Sequence, residues 1–376
     1  MPGCEHGTHV AGIIAGHKMT IPGKSFSGVA PAAGIVAVQV FTLLEDPREC
    51  QGEPRCILSF TSDQLRALEW IYRRRTELKI AAINMSLGGG YHDAPCDTIS
   101  PLTDIIARLR SKQIATVVAA GNETFFDGIS EPACISYAIS VSALKKDGEL
   151  DVSYSNVAPF VTIAAPGTDI TSSVFNGLYG VKSGTSMAAP HVAAAFALLR
   201  QQRPTLTVTE LTKLLKDASE PVSDPRTGTT VGRIELARLA APEEEPRVAM
   251  RGVVRKRVAV AAAETRGPVS RVDRSNVRTA ASEQQPMMGS SYIVKTPKSA
   301  TDIKSTLDKN CQGHICQVRQ IGTDAYKVDI IPAPSPPNGS RGASRASPAP
   351  PGKIELEKML GEGAKVYDNR LSRPSR

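Results

Sequence analysis

Ser183-Gly184-Thr185-Ser186-Met187-Ala188-Ala189-Pro190-His191 runs straight into an apolar stretch from Val192 to Leu199. This pattern puts a serine at the mouth of a buried helix. Gly184 permits a tight backbone turn, and Ser186 falls where the unpaired N–H groups of a first turn favour a developing negative charge. Pro190 is tolerable four residues later, because a first turn has little inward N–H bonding to lose. A buried helix alone accounts for the alanines. It does not account for the Gly-Thr-Ser-Met start, which reads as the setting of a nucleophile.

A serine nucleophile needs a base whose pKa suits neutral pH, and histidine supplies one. Near the start stands Glu5-His6-Gly7-Thr8-His9-Val10-Ala11-Gly12-Ile13-Ile14-Ala15-Gly16, a histidine opening a helix of small residues that can pack closely. Together the two stretches resemble the subtilisin-like serine proteases, the subtilases. The resemblance implies that His6 is the base and Ser186 the nucleophile. His9 and His191 match positions outside the catalytic set and read as structural.

Two segments between them fit the same order. Ile114-Ala115-Thr116-Val117-Val118-Ala119-Ala120-Gly121-Asn122-Glu123 is a buried-strand pattern ending in Gly-Asn. By resemblance, Asn122 donates its side-chain amide to the oxyanion, and Ala119, Ala120 and Gly121 line one wall of the first specificity pocket. Glu123 beside that pocket reads either as a selector for basic side chains or as a solvated carboxylate. Ile80-Ala81-Ala82-Ile83-Asn84-Met85-Ser86-Leu87-Gly88-Gly89-Gly90 begins as a buried strand and ends in small residues with open backbone. Such an edge can accept an extended peptide as an added strand. The family's matching segment does so, which assigns Ser86, Leu87 and Gly88 to substrate binding.

Subtilases run in the order Asp, His, Ser, with the aspartate ~30 residues before the histidine in subtilisin. Only Met1 to Glu5 precede His6 here. The reading is therefore an N-terminally truncated domain without its catalytic aspartate and the strand carrying it. Glu5 is a poor substitute, because adjacent side chains on a helix do not face one another. The expectation is a serine endopeptidase by family, working through an acyl-enzyme, that is inactive as written. The alternative is a non-catalytic, peptide-binding relative.

The chain has 376 residues, 41% of them hydrophobic, enough for one large domain and something smaller. Its net charge of +8 is uneven: residues 1–240 carry 22 basic and 23 acidic side chains, residues 241–376 carry 23 and 14. The excess positive charge belongs to the C-terminal third, where it reads as solvation; no nucleic-acid partner is expected. No run of eighteen apolar residues is present, so no membrane span is expected, and the partner is a polypeptide substrate. No signal peptide stands at the start.

The expected fold class is α/β: a subtilisin-like, three-layer domain over 1–240, its parallel sheet flanked by helices. Strands are expected at 35–40, 138–143 and 161–167, and helices at 62–75, from 103, and at 208–218. A charged flexible linker follows over 241–289. A small α+β module covers 290–331, about 40 residues and too few for a robust core without a staple. Residues 332–376 read as a Pro/Ser/Gly-rich disordered tail. Of the seven cysteines, Cys50/Cys56 and Cys311/Cys316 are near enough in sequence to close small loops, and Cys96 and Cys134 could join two loops. Cys4 is left over. No cluster has zinc-ligand spacing with histidine, so no metal and no cofactor are expected, and disulfides point to an oxidising, secreted or cell-envelope setting. Reduced, buried thiols are the competing reading.

Overall fold

Apart from 35–40, apolar runs bounded by glycine and proline become strands through residue 240, and stripes at helical spacing become the helices that cover them. The computed structural model describes residues 5–21, 24–240, 290–310, 314–332, 352–361 and 363–374. In chain order the first region comprises α1 (His6–Ala15), a hairpin of β1 (Met19–Ile21) and β2 (Lys24–Phe26), β3 (Thr42–Leu44), β4 (Cys56–Phe60) and α2 (Thr61–Arg74). Next come β5 (Ala82–Met85), β6 (Leu87–His92), α3 (Thr103–Ser111), β7 (Ala115–Ala119), β8 (Ile129–Glu131), β9 (Ile139–Leu144) and β10 (Ile163–Pro166). It closes with the hairpin β11 (Ile170–Ser173) and β12 (Tyr179–Lys182), then α4 (Thr185–Gln202), α5 (Val208–Ala218), β13 (Glu220–Ser223), β14 (Thr230–Arg233) and α6 (Leu236–Ala240).

The central sheet has the order β13-β14-β10-β9-β7-β5, parallel from β14 to β5 with β13 antiparallel at one end. Alternation along β7 explains its layers. Ala115, Val117 and Ala119 face the helical layer of α4 and α5, meeting Ala188, Val192, Phe196 and Leu211. Val118 and Ala120 belong to the opposite core, with Leu65 and Leu68 of α2 and Ile105, Ile106 and Leu109 of α3. A parallel sheet covered on both faces needs apolar residues at every position, which is why these strands read as continuous runs. Helix α5 starts where a capping box forms: Thr207 Oγ1 accepts from Glu210 N at 3.2 Å, and Thr207 N donates to Glu210 Oε2 at 2.7 Å.

The strand expected at 35–40 does not form. These residues are irregular and Ile35, Val36 and Val38 are exposed. A strand needs a ladder partner as well as propensity. The sheet ends at β5, and between β5 and Val38, Val40 and Phe41 lies a cavity of about 180 Å³.

The second region is larger than its expected 290–331. It contains β15 (Ser290–Lys295), α7 (Ala300–Asn310), β16 (His314–Gln320), β17 (Ala325–Pro332), α8 (Lys353–Leu360), β18 (Lys365–Asp368) and β19 (Leu371–Pro374). The supposed tail, 332–376, thus supplies a helix and two strands, and β18 completes an antiparallel sheet of order β16-β17-β15-β18. One face of that sheet, with Val294, Val328, Ile330 and Val366, packs on Ile303 and Leu307 of α7 and Leu356 and Leu360 of α8. Its other face, with Ile293, Ala325 and Tyr367, joins the α2–α3 core of the first region. Lys295 Nζ meets Asp104 Oδ2 at 2.6 Å beside that contact. The core that forty residues cannot supply alone comes from α8, β18 and this shared face. The linker expected at 241–289 and the residues 333–351 lie outside the described residues.

Cys50–Cys56 and Cys96–Cys134 are disulfides, and Cys316 is disulfide-bonded as well. Cys4 and Cys311 lie outside the described residues. Among those described, no helix is long and apolar enough to cross a membrane.

Candidate active site

Ser186 sits in the first turn of α4, fully buried. Gly184, the residue before that helix, has φ of +152°, a conformation only glycine adopts without strain, and its N–H is held by Gly167 O at 2.9 Å. Thr185, also buried, ties this turn to the end of β7. Its N–H and its hydroxyl both donate to Asn122 Oδ1 at 2.9 Å, and its Oγ1 accepts from Gly121 N at 3.2 Å. The carboxamide of Asn122 is thereby fixed with its oxygen toward Thr185 and its nitrogen on the opposite side.

Ser86 joins the site from the end of β5. Its hydroxyl accepts from Asn84 Nδ2 at 2.9 Å and donates to the Ser186 carbonyl at 2.8 Å, while Ser186 Oγ donates to the Ser86 carbonyl at 3.3 Å. Leu87 and Gly88 follow in β6. A Cβ on Gly88 would stand 3.1 Å from Ser130 Cβ and 3.9 Å from the Ala119 carbonyl, so this segment and the Ala119–Gly121 segment lie side by side. Ala119 and Ala120 are fully buried. Gly121 has φ of +110°, and a Cβ there would fall 2.2 Å from Asn156 Nδ2 and 2.4 Å from Ser130 Oγ. No other residue fits that position.

His6 opens α1 and is mostly buried, lining the cavity beside β5 together with Asn84, Ser86 and Leu87. Helix α1 reaches α4 through Val10, Ile13 and Met187, which form one small core. The other two histidines are structural in their bonding. His9 Nε2 donates to the carbonyls of Ile170 at 3.0 Å and Gly180 at 3.2 Å, and burial lowers its pKa despite those bonds. His191 Nδ1 donates to Met187 O at 2.8 Å, and burial lowers its pKa too.

Glu123 is exposed, but one oxygen is held by Asn156 Nδ2 at 2.7 Å and Ser130 Oγ at 3.1 Å. Asn156 Oδ1 in turn accepts from the backbone of Glu123 at 2.9 Å and Phe125 at 3.0 Å. Thr185 and Asn156, which shape the whole pocket edge, escape sequence reasoning: their partners lie dozens of residues away. His92, Cys96 and Cys134 bring ligand-type atoms within 4.8 Å of one another, but both sulfurs belong to a disulfide.

The profile of the subtilase family matches residues 2–239. Over 207 residues the chain is 34% identical to minor extracellular protease Epr of Bacillus subtilis, covering 55% of this chain and 28% of that protein. It is 38% identical over 194 residues to alkaline protease 1 of Aspergillus flavus, covering 50% and 40%. With subtilisin E of Bacillus subtilis the identity is 34% over 208 residues, covering 54% and 48%. A solved protease of Pseudoalteromonas arctica superposes with a TM-score of 0.50 at 29% identity, over 62% of this chain and 69% of that one. The chain spans less than half the length of these three curated relatives. The match beginning at residue 2 corrects one expectation. The family's domain occupies the N-terminal region of this chain, so the reading of a missing N-terminal part, and the inactivity inferred from it, are withdrawn.

Proposed function

Because this chain belongs to the subtilase family, we propose that it is a serine endopeptidase that cleaves polypeptides through an acyl-enzyme. Ser186 Oγ attacks the scissile carbonyl while His6 takes its proton, and His6 returns that proton to the departing amine. Asn122 and the Ser186 N–H hold the oxyanion, Asn122 being oriented by Thr185. Water then enters, and His6 draws its proton as it attacks the ester. The extended substrate lies along Ser86, Leu87 and Gly88, and Ala119, Ala120 and Gly121 form the facing wall of the pocket for the residue before the cleaved bond.

The observation that carries this reading is the reciprocal pair of hydrogen bonds between Ser86 and Ser186. It holds the Ser86 segment directly against the Ser186 backbone, which supports reading that segment as the peptide-binding edge. The disulfides and the similarity to a minor extracellular protease support a secreted or envelope location. A fluorophosphonate probe tests the chemistry. Covalent labelling at Ser186, in the full chain or once Ser372→Pro plus Arg373→Pro has broken the β19 ladder, and lost in Ser186→Ala, is the expected result. Absence of labelling from both proteins, with peptide still bound, overturns it in favour of a binding protein.

A further inference from the structure

We propose that residues 290–374 form an inhibitor of the chain's own peptidase domain, with β19 seated in the groove meant for substrate. The proposal rests on β6 being the substrate edge. Strand β19 lies between β4 and β6 in a five-stranded sheet of order β3-β4-β19-β6-β8, antiparallel to both neighbours. Leu371 stands opposite Phe60 and Ser372 opposite Ser59, then Arg373 opposite Gly88 and Pro374 opposite Leu87. Leu87 and Gly88 are the residues that would pair with an extended substrate. The rest of β6 pairs with β8 at Gly89 and His92. A strand has one edge per side, so β19 and a substrate exclude each other.

The direction of the strand is that of a substrate. Rising residue number carries β19 from Phe60 toward Leu87, next to Ser86 and its bonds to Ser186. A peptide laid this way brings its carbonyl end to the nucleophile, as the acyl side of a scissile bond must. With β19 in place Ser186 has no exposure to solvent.

The seat is built. Thr61 donates to the Arg370 carbonyl twice, from N and from Oγ1, each at 2.8 Å. Ser62 N donates to Asn369 Oδ1 at 2.9 Å, and Arg370 Nη1 lies 3.7 Å from Glu131 Oε2. Behind the strand the module docks through Ile293, Ala325 and Tyr367 and through the Lys295–Asp104 pair. Lys327 Nζ stands 5.7 Å from the centre of the Phe60 ring, on β4 itself. A segment tethered to its site competes at an effective concentration of about millimolar, so a free peptide must displace it rather than simply bind.

The test uses full-length Ser186→Ala protein and a fluorescein-labelled synthetic peptide of residues 366–376, with affinity read by anisotropy. Breaking the β19 ladder with Ser372→Pro plus Arg373→Pro is expected to tighten peptide binding at least tenfold. Protection of the Leu87 and Gly88 amides against hydrogen exchange is expected to fall as well. Lys295→Ala loosens docking far from the strand and is expected to tighten binding several-fold, which decides the matter should the proline variant misfold. Equal peptide affinity in parent and Lys295→Ala, with unchanged protection of Leu87 and Gly88 in a folded proline variant, overturns the proposal. Binding is read without catalysis, so the two readings fail separately. Tighter binding in the variants, together with no fluorophosphonate labelling of proteins that keep Ser186, would sink the peptidase reading and leave the inhibitor standing.

Discussion

Thr185 grips Asn122 with two donors, its backbone N–H and its hydroxyl both bonding to Oδ1 at 2.9 Å. The first survives any substitution except proline, and the second does not. Thr185→Val keeps the side chain's shape and removes one of the two orienting bonds. Turnover is expected to fall about tenfold with KM nearly unchanged. Asn122→Ala, which deletes the donor itself, is expected to cost the 10²–10³ in turnover known for the equivalent loss in a subtilisin. Steady-state kinetics on one short peptide checks both. A KM effect as large as the kcat effect in Thr185→Val would place Thr185 in substrate binding instead.

Gly121 combines a positive φ with no room for a methyl group. Gly121→Ala is expected to destabilise the fold by about 2–3 kcal/mol, from backbone strain and from displacing Asn156 and Ser130. The denaturant midpoint measures it, with hydrogen exchange at Glu123 and Phe125 locating the damage. A change below roughly 0.5 kcal/mol, the scale of an ordinary surface substitution, contradicts this account.

Burial holds the pKa values of His9 and His191 below the ordinary histidine value. Their unfolded forms therefore bind protons that the folded forms do not, and stability falls as pH drops below about 6.5. Asp151 adds a lower step. Burial raises its pKa, but hydrogen bonds from Ser153 and Thr168 outweigh that and leave it below the ordinary value. Its contribution is present above about pH 4 and is lost as pH falls through the folded value. Unfolding midpoints at pH 7.5, 5.5 and 3.5 are expected to decline in two stages. His191→Gln should shrink the first and Asp151→Asn the second.

The Cys96–Cys134 disulfide closes 38 residues of separation and Cys50–Cys56 only 6. Loop-closure entropy sets the first at about 3–4 kcal/mol and the second at about 2. The paired alanine variants are expected to rank in that order in thermal unfolding, and a reversed order would point to native-state strain as the larger effect.

Local chemistry made much of this molecule readable in the sequence. The stripe of Leu211, Leu214 and Leu215 and the Thr207–Glu210 pair mark α5 at both its face and its start, and Gly184 before Thr185 marks α4. The apolar run through Val117 and Val118 marks a strand covered on both sides. What escaped was pairing over distance. Ile35 to Val40 has strand composition and finds no ladder. Leu371 to Pro374 has almost no strand signal, ending as it does in a proline, and is held by Phe60 and Gly88 from far earlier in the chain. Thr185 next to Ser186 is ordinary in composition; its role comes from meeting Asn122 in space.

Helix α2 has no capping side chain at its own N-terminal flank, Phe60. Thr61 N and Ser62 N, two of the donors a helix start leaves open, are met instead by the Arg370 carbonyl and the Asn369 side chain. Departure of the final strand hands both donors to water, at a cost near that of losing a cap, about 1 kcal/mol. Occupancy of the groove and helicity of that first turn are therefore coupled quantities. Since α2 also walls the cavity beside His6 through Gln64, Leu68 and Ile71, fraying at Thr61 would reach the surroundings of His6. A reporter group at the helix start would register that opening with no substrate present.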